Sequence, residues 1–226
     1  MQLMQCDIPN HSTFQIMEHF NIRPKNIYHI GGSHGLEFPI YQHYGAKTRW
    51  FECNPYIFGH LKERIRNSGD TAHMLCLWDE DGLEKEFYFY RNQLDGAASL
   101  FKPDKFNDFI PDCKLTGEKI VVKTTKLDTF VRDLDLEEEA KNIDFLNLDI
   151  QGAELNCLMG SSILLSGKLQ WIYCETSSFS CYQDAPLEPE ITSFLAEYGF
   201  KRIGYRKDWG TEIYNHGDSI YYRAKL

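Results

Sequence analysis

Two rhythms of apolar residues alternate along this chain. Short runs rich in apolar and β-branched residues carry the period of a strand, and between them apolar positions return every three or four residues, as on one face of a helix. Asn26–Ile30, Thr48–Phe51 with Glu52 at its end, Thr71–Trp78, Ile143–Ile150 and Leu169–Cys174 with Glu175 at its end read as strands. Leu36–Tyr44, Asn54 to about Asn67, Leu127–Leu134, Ala153–Leu165 and Glu188–Tyr198 read as the helices between and after them. Ile143–Ile150 is almost continuously apolar, as a strand covered on both faces must be. Ser12–Asn21 predicts a first helix over an edge of the sheet, with Ser12 and Gln15 at capping-box spacing. Glu86–Tyr90 pairs with Ile120–Thr124, and Phe200–Tyr205 with Ser219–Arg223 closes the sheet in antiparallel fashion. The alternation predicts an α/β fold: a doubly wound, Rossmann-like, mostly parallel sheet with helices on both faces. It is expected to form one domain over residues 1–226, opened by a helical segment over 1–25.

In such sheets ligands bind beyond the carboxyl ends of the strands. The predicted ends carry His29, Glu52, Asp149 and Glu175. After the first strand, Gly31-Gly32-Ser33-His34-Gly35 is a turn that needs glycine, and Glu52 follows about 20 positions later, where an acid accepts hydrogen bonds from ribose hydroxyls. A dinucleotide fingerprint would place glycine where Ser33 and Leu36 stand, and no glycine is followed by the Lys-Ser/Thr of a phosphate loop. The spacing of Gly31 and Gly35 is closer to that of enzymes using S-adenosylmethionine (SAM).

Composition narrows the rest. The net charge of −9 over 226 residues disfavours a nucleic-acid partner. Seven cysteines without a CxxC pair suggest neither a zinc site nor a disulfide framework and fit a reducing, cytoplasmic setting. The first residues lack the basic-then-apolar order of a signal peptide, and no apolar run is long enough to span a membrane. The weakly patterned stretch Asn92–Lys119 reads as a substrate-side loop, with Phe179–Tyr182 as a second wall of the acceptor pocket.

Gly31, Gly32, Ser33, Gly35 and Glu52 are therefore the cofactor candidates. Asn54 either lies near the nucleoside or caps its helix. Leu77 and Trp78 either flank the base or belong to the core. Asp149 ends a buried-type strand, where a carboxylate is costly unless paired or used. Glu154 opens the next helix and Glu175 ends the neighbouring strand. Three carboxylates there suit a general base with its supports, a magnesium site, or anchors for a polar substrate. No spacing selects a metal, and none is assigned. His34 in the turn is a further catalytic candidate, and Ser99 of the Asp95–Ser99 segment is the substrate-binding candidate.

From about Asn26 to Glu175 the chain resembles the FkbM-type methyltransferases. YHIGGSHGLE resembles their glycine block, RWFECNPYIFGHL their acidic block, CLWDEDG the third-strand block and LDGAASL a serine-containing block. KLDTFV and IDFLNLDIQGAELNCLMG resemble the most recognisable segment, and WIYCETS the last acidic strand. The resemblance implies a class I SAM-dependent fold and O-methylation of a small molecule or sugar. An N-methyltransferase acting on an amide or peptide, or a non-catalytic SAM-binding module, stands as the alternative. Three positions depart from the family pattern: His29 stands where an acid precedes the first glycine, Asn147 where Lys is common, and Gln151 where Glu is common.

Overall fold

The structure is a computed structural model that describes residues 11–90, 96–105, 108, 110–111, 114–211 and 215–224. Cys6, Asp95 and Cys113, and parts of the expected N-terminal segment and of the 92–119 loop, lie outside them. The strands are β1 Asn26–Ile30, β2 Lys47–Glu52, β3 Thr71–Met74, β4 Cys76–Leu77, β5 Glu84–Tyr90, β6 Leu115–Thr125, β7 Phe145–Leu148, β8 Trp171–Ser177, β9 Lys201–Gly210 and β10 Asn215–Tyr222. The helices are α1 Ser12–His19, α2 Phe38–His43, α3 Pro55–Ile65, α4 Leu127–Asp133, α5 Glu137–Lys141, α6 Glu154–Met159, α7 Ser162–Leu165 and α8 Glu188–Glu197.

Seven strands form the main sheet in the order β3-β2-β1-β7-β8-β10-β9. All its pairings are parallel except those of β10 with β8 and β9. The chain winds outward from β1 to β3 and then returns to lay β7 beside β1. The switch in strand order therefore falls between β1 and β7, which is where a doubly wound sheet opens its ligand crevice. Successive side chains on these strands feed opposite cores. Tyr28, Ile30, Leu146 and Leu148 pack with α4–α8, through side chains such as Val131, Leu158, Leu165 and Leu195. Ile27, Trp50 and Phe145 pack with α1–α3, through Met17, Tyr41 and Leu61.

Four expectations change. The single strand Thr71–Trp78 is two: Leu75 N–H turns to the Glu52 carbonyl, and β4 leaves the main sheet to pair with β6 in a second sheet ordered β4-β6-β5. A change of partner leaves no mark on an apolar run. The helix Ala153–Leu165 breaks at Gly160, where a Cβ would lie 2.1 Å from the Trp78 carbonyl oxygen. Asp128 of α4 then accepts the N–H groups of Ser162 and Ile163 and so caps the restarted helix α7. The cap of α1 is His11, whose Nδ1 accepts the Thr13 N–H, rather than Ser12. That helix also lies on a face of the sheet, not on an edge: Met17 is fully buried in the core of that face, and Phe20 meets Trp171. Helix α5 has no counterpart in the pattern, because Ala140 is its one buried residue. Among the described residues no helix is long and apolar enough to cross a membrane, and the described cysteines 53, 76, 157, 174 and 181 are free.

Candidate functional site

A cavity of about 350 Å³ opens over the carboxyl ends of β1, β2, β7 and β8. One half is built by the glycine turn. The N–H groups of Gly31 and Gly32 both reach the Phe51 carbonyl, and the backbone enters the left-handed region at Gly31 (φ +87°), Ser33 (φ +44°) and Gly35 (φ +67°). Glu52 is buried below it. Its carboxylate accepts the Ser33 N–H at 2.7 Å and the Asn54 N–H at 2.6 Å, fixing the turn to the head of α3. Burial raises the Glu52 carboxyl above its ordinary range, against these donors. Each oxygen keeps a further lone pair for a ligand hydroxyl.

Gly31, Gly32, Ser33, Glu52 and Leu77 line this half, while other sequence candidates lie behind its walls. Asn54 caps α3 by accepting the Tyr56 N–H. Trp78 packs against Phe101 and under the Lys85 ammonium. His34 turns toward α3, its ring stacked on His60 and its carbonyl taken by Arg64. Gly35 packs on the same helix, where a Cβ would meet Leu61 at 2.9 Å. Ser99 is fully buried, and its hydroxyl donates to the Gln151 carbonyl at 2.6 Å. These positions brace the site.

The other half gathers acids. Asp149 faces the open cavity, and its carbonyl oxygen occupies the place of a Cβ on Gly31, 1.7 Å from that position. Gln151, itself at φ +57°, sends its side-chain Nε2 to Asp149 Oδ1 at 2.7 Å and to Glu175 Oε2 at 3.0 Å. Tyr182 O–H donates to Gln151 Oε1 at 2.6 Å. Crowding by the protein first, and Glu175 second, raises Asp149 well above the carboxylate range. Burial, then Glu154, does the same to Glu175. Glu154 stands behind them, accepting the backbone N–H groups of Ile150 and Gly152. Asp149, Glu154 and Glu175 each bring one oxygen within 4.8 Å of the others. Backbone and amide N–H groups hold Glu154 and Glu175 in this arrangement, and no metal is assigned to the trio.

Two of the family departures turn out to be partners. His29 and Asn147 are direct neighbours on β1 and β7. Asn147 Nδ2 donates to Tyr41 Oη at 2.9 Å, and Tyr41 O–H donates in turn to His29 Nδ1 at 3.0 Å. That order assigns the ring proton to Nε2. Burial pushes the imidazole down to about 3, so the ring is neutral. A neutral chain thus fills the place of an acid and a lysine. His29→Asp alone is expected to destabilise the protein by about 3 kcal/mol in urea denaturation, because it buries an unpaired carboxylate. Adding Asn147→Lys is expected to recover at least half of that loss. Strictly additive effects in the four-variant cycle would contradict the pairing.

Sequence reasoning missed Glu37, Tyr173, Arg206, Asp208, His216 and Asp218. All but His216 line the acidic half of the cavity. Tyr173 O–H donates to Asp218 at 2.6 Å, and Arg206 pairs with Asp218 at 2.6 Å and Asp208 at 2.5 Å. Burial raises Glu37 to about 7. The available signal was period-two spacing: 173 and 175, 206 and 208, and 216 and 218 place polar groups on one face of adjacent strands.

The family model described as Methyltransferase FkbM domain matches residues 28–202. No curated protein sequence matches this chain. Among solved structures, a magnesium protoporphyrin IX methyltransferase from Synechocystis PCC 6803 with bound SAM is similar at 13% identity and TM-score 0.52, over 94% of this chain and 77% of that one. Its form with bound SAH aligns at 12% identity and TM-score 0.51, over 94% and 80%. A candidate tRNA methyltransferase from Streptococcus pneumoniae aligns at 7% identity and TM-score 0.50, over 96% and 71%. At such identities these likenesses speak for the fold alone.

Proposed function

The chain belongs to the FkbM methyltransferase family, and from that premise we propose that it moves the methyl group of SAM to a hydroxyl oxygen of a small molecule or sugar. The observation that carries this reading is the contact of the two halves: the Asp149 backbone sits where Gly31 lacks a side chain. The turn that would hold the cofactor and the carboxylate that would take the proton are thereby one rigid unit. Two solved structures of similar fold hold SAM and SAH, in keeping with that cofactor.

Gly31, Gly32 and Ser33 would hold the amino-acid end of SAM, Glu52 its ribose hydroxyls, and Leu77 the edge of its adenine. When bound, SAM supplies an electrophilic methyl carbon: the new C–O bond forms as the C–S bond breaks. The protein's share is alignment and a destination for the hydroxyl proton. Alignment of bound reactants supplies roughly 7–11 kcal/mol, and a general base about 10²–10⁴-fold. Asp149, the exposed member of the Asp149, Glu154 and Glu175 trio, would take that proton. A sulfonium bound nearby would favour its ionised, basic form.

The acceptor is inferred from charge. Glu37, Asp149, Glu175, Asp208 and Asp218 border its space, and Arg206 there is engaged by two of them. Such a lining disfavours a phosphate-bearing acceptor. The resemblance to a candidate tRNA methyltransferase means that the fold does not itself exclude nucleic acid. The test offers SAM with sugar alcohols, hydroxylated small molecules, peptide amides and an RNA hairpin, and locates the methyl group by mass fragmentation. Methylation on a hydroxyl oxygen supports the reading. Methylation of nitrogen, or SAM binding without transfer to any of them, contradicts it.

A further inference from the structure

All but the first two residues of the C-terminal hairpin of β9 and β10 lie beyond the family-matched residues 28–202, yet the hairpin sends a histidine to the acid pair. We infer that His216 is a positioning residue for the reaction proposed above: it holds the Glu175 carboxylate and, through Glu175 and Gln151, aims Asp149.

The geometry forms a directed chain. His216 is 4% exposed; its Nε2 lies 3.1 Å from Glu175 Oε1, and its Nδ1 lies 3.6 Å from Cys181 Sγ. The other oxygen of Glu175 takes one N–H of Gln151, and the second N–H of the same nitrogen goes to Asp149. Because Tyr182 donates to Gln151 Oε1, a flip of the amide would give up both of its N–H bonds to the carboxylates. The strands explain the reach. Glu175 and Asp218 are direct partners across β8 and β10, and His216, two residues along β10, shares their face. At the register shift between His216 and Gly217 the extra residue, Asp208, is on β9, and the two strands close up there: a Cβ on Gly217 would lie 2.1 Å from the Arg206 carbonyl oxygen.

Electrostatics makes the donor matter. The groups facing Glu175 are Asp218 on β10, Asp208 on β9, Glu154 at the head of α6, Asp149 after β7, and Cys181 and Tyr182. Four of these are acids, all opposing ionisation of Glu175. Burial holds the His216 ring in its neutral form, against the pull of Asp149, Asp208, Glu154 and Asp218. A neutral ring with its proton on Nε2 donates to Glu175 and accepts from the Cys181 thiol at Nδ1. If Glu175 instead took up a proton on Oε2, Gln151 would lose that acceptor and with it its aim on Asp149.

The test compares His216→Leu, which lacks a donor, with His216→Gln, whose Nε2 replaces that of the ring. Carboxyl ¹³C NMR follows the Asp149–Glu175 titration in the ligand-free protein. His216→Leu is expected to raise the titration midpoint by about 1 pH unit, the loss of one hydrogen bond to a charged group. It should lower kcat about 10-fold at neutral pH, move the acidic limb of the pH–rate profile upward, and change SAM affinity less than about 3-fold. His216→Gln should restore the midpoint and most of kcat. Should the leucine variant not fold, His216→Asn, too short to reach Glu175, replaces it. A wild-type midpoint in the donor-less variant, or no rescue by glutamine, overturns the inference. The NMR titration decides the role of His216 even if no methyl transfer is found, whereas transfer assays decide the proposed function.

Discussion

Asp149→Asn is expected to lower turnover about 10²–10⁴-fold, the span of a lost general base, and to leave SAM affinity nearly unchanged. Asparagine keeps an oxygen for the Gln151 N–H that Asp149 now accepts, so the geometry of the turn survives. What it cannot do is take a proton. The same variant should be no less stable than the parent near neutral pH. Asp149 is raised above its ordinary carboxylate value by crowding and by Glu175. A carboxyl whose pKa is raised on folding stabilises the fold at low pH, where it is protonated, and that contribution is lost as pH rises through the folded value. Asparagine removes this penalty. Chemical denaturation beside single-turnover kinetics would show the split: loss of rate without loss of stability. Full turnover in Asp149→Asn would remove Asp149 from the mechanism.

Gly31→Ala is the second large effect, and it should strike fold and site together. The backbone there is at φ +87°, where an L-residue is strained by roughly 1–2 kcal/mol. The new methyl would also lie 1.7 Å from the Asp149 carbonyl oxygen, so β1 and β7 would have to part, adding about 1–3 kcal/mol. The combined loss of about 2–5 kcal/mol is a large share of the stability of a typical domain. Urea midpoints would register it, and the folded fraction should bind SAM poorly. Gly59→Ala is the control: it lies within α3, nothing stands within 4 Å of its added Cβ, and it should stabilise by about 0.5–1 kcal/mol. A Gly31→Ala protein as stable as its parent would show that the two halves of the cavity are not in contact.

The frame of this site was legible because its signals are local. A strand, a glycine turn and an acid at the next strand's end follow one another within Asn26–Glu52, and the structure keeps that order. The buried run before Asp149 announced a central strand for the same reason. What escaped was everything set by partners distant in sequence. His29 and Asn147 read as two separate losses of charge, since only the pairing of β1 with β7 makes them one neutral unit. Gln151 read as a missing acid, whereas its amide serves two carboxylates, an arrangement glutamate could not provide. His34 and Ser99 looked chemical because of their neighbours in sequence, but their side chains meet α3 and the Gln151 carbonyl. Arg206, Asp208, His216 and Asp218 fall outside the expected closing strands Phe200–Tyr205 and Ser219–Arg223, on the ends by which β9 and β10 run longer and pair.

The most direct test of the account is an equilibrium titration of the purified protein with SAM and with SAH by calorimetry, alongside Glu52→Ala and Asp149→Asn. The account predicts saturable one-to-one binding of both ligands, weakened at least about 100-fold by Glu52→Ala, which removes the buried carboxylate expected to hold the ribose, and retained by Asp149→Asn. Binding of neither ligand to the parent protein, or equal binding by parent and Glu52→Ala, would contradict it.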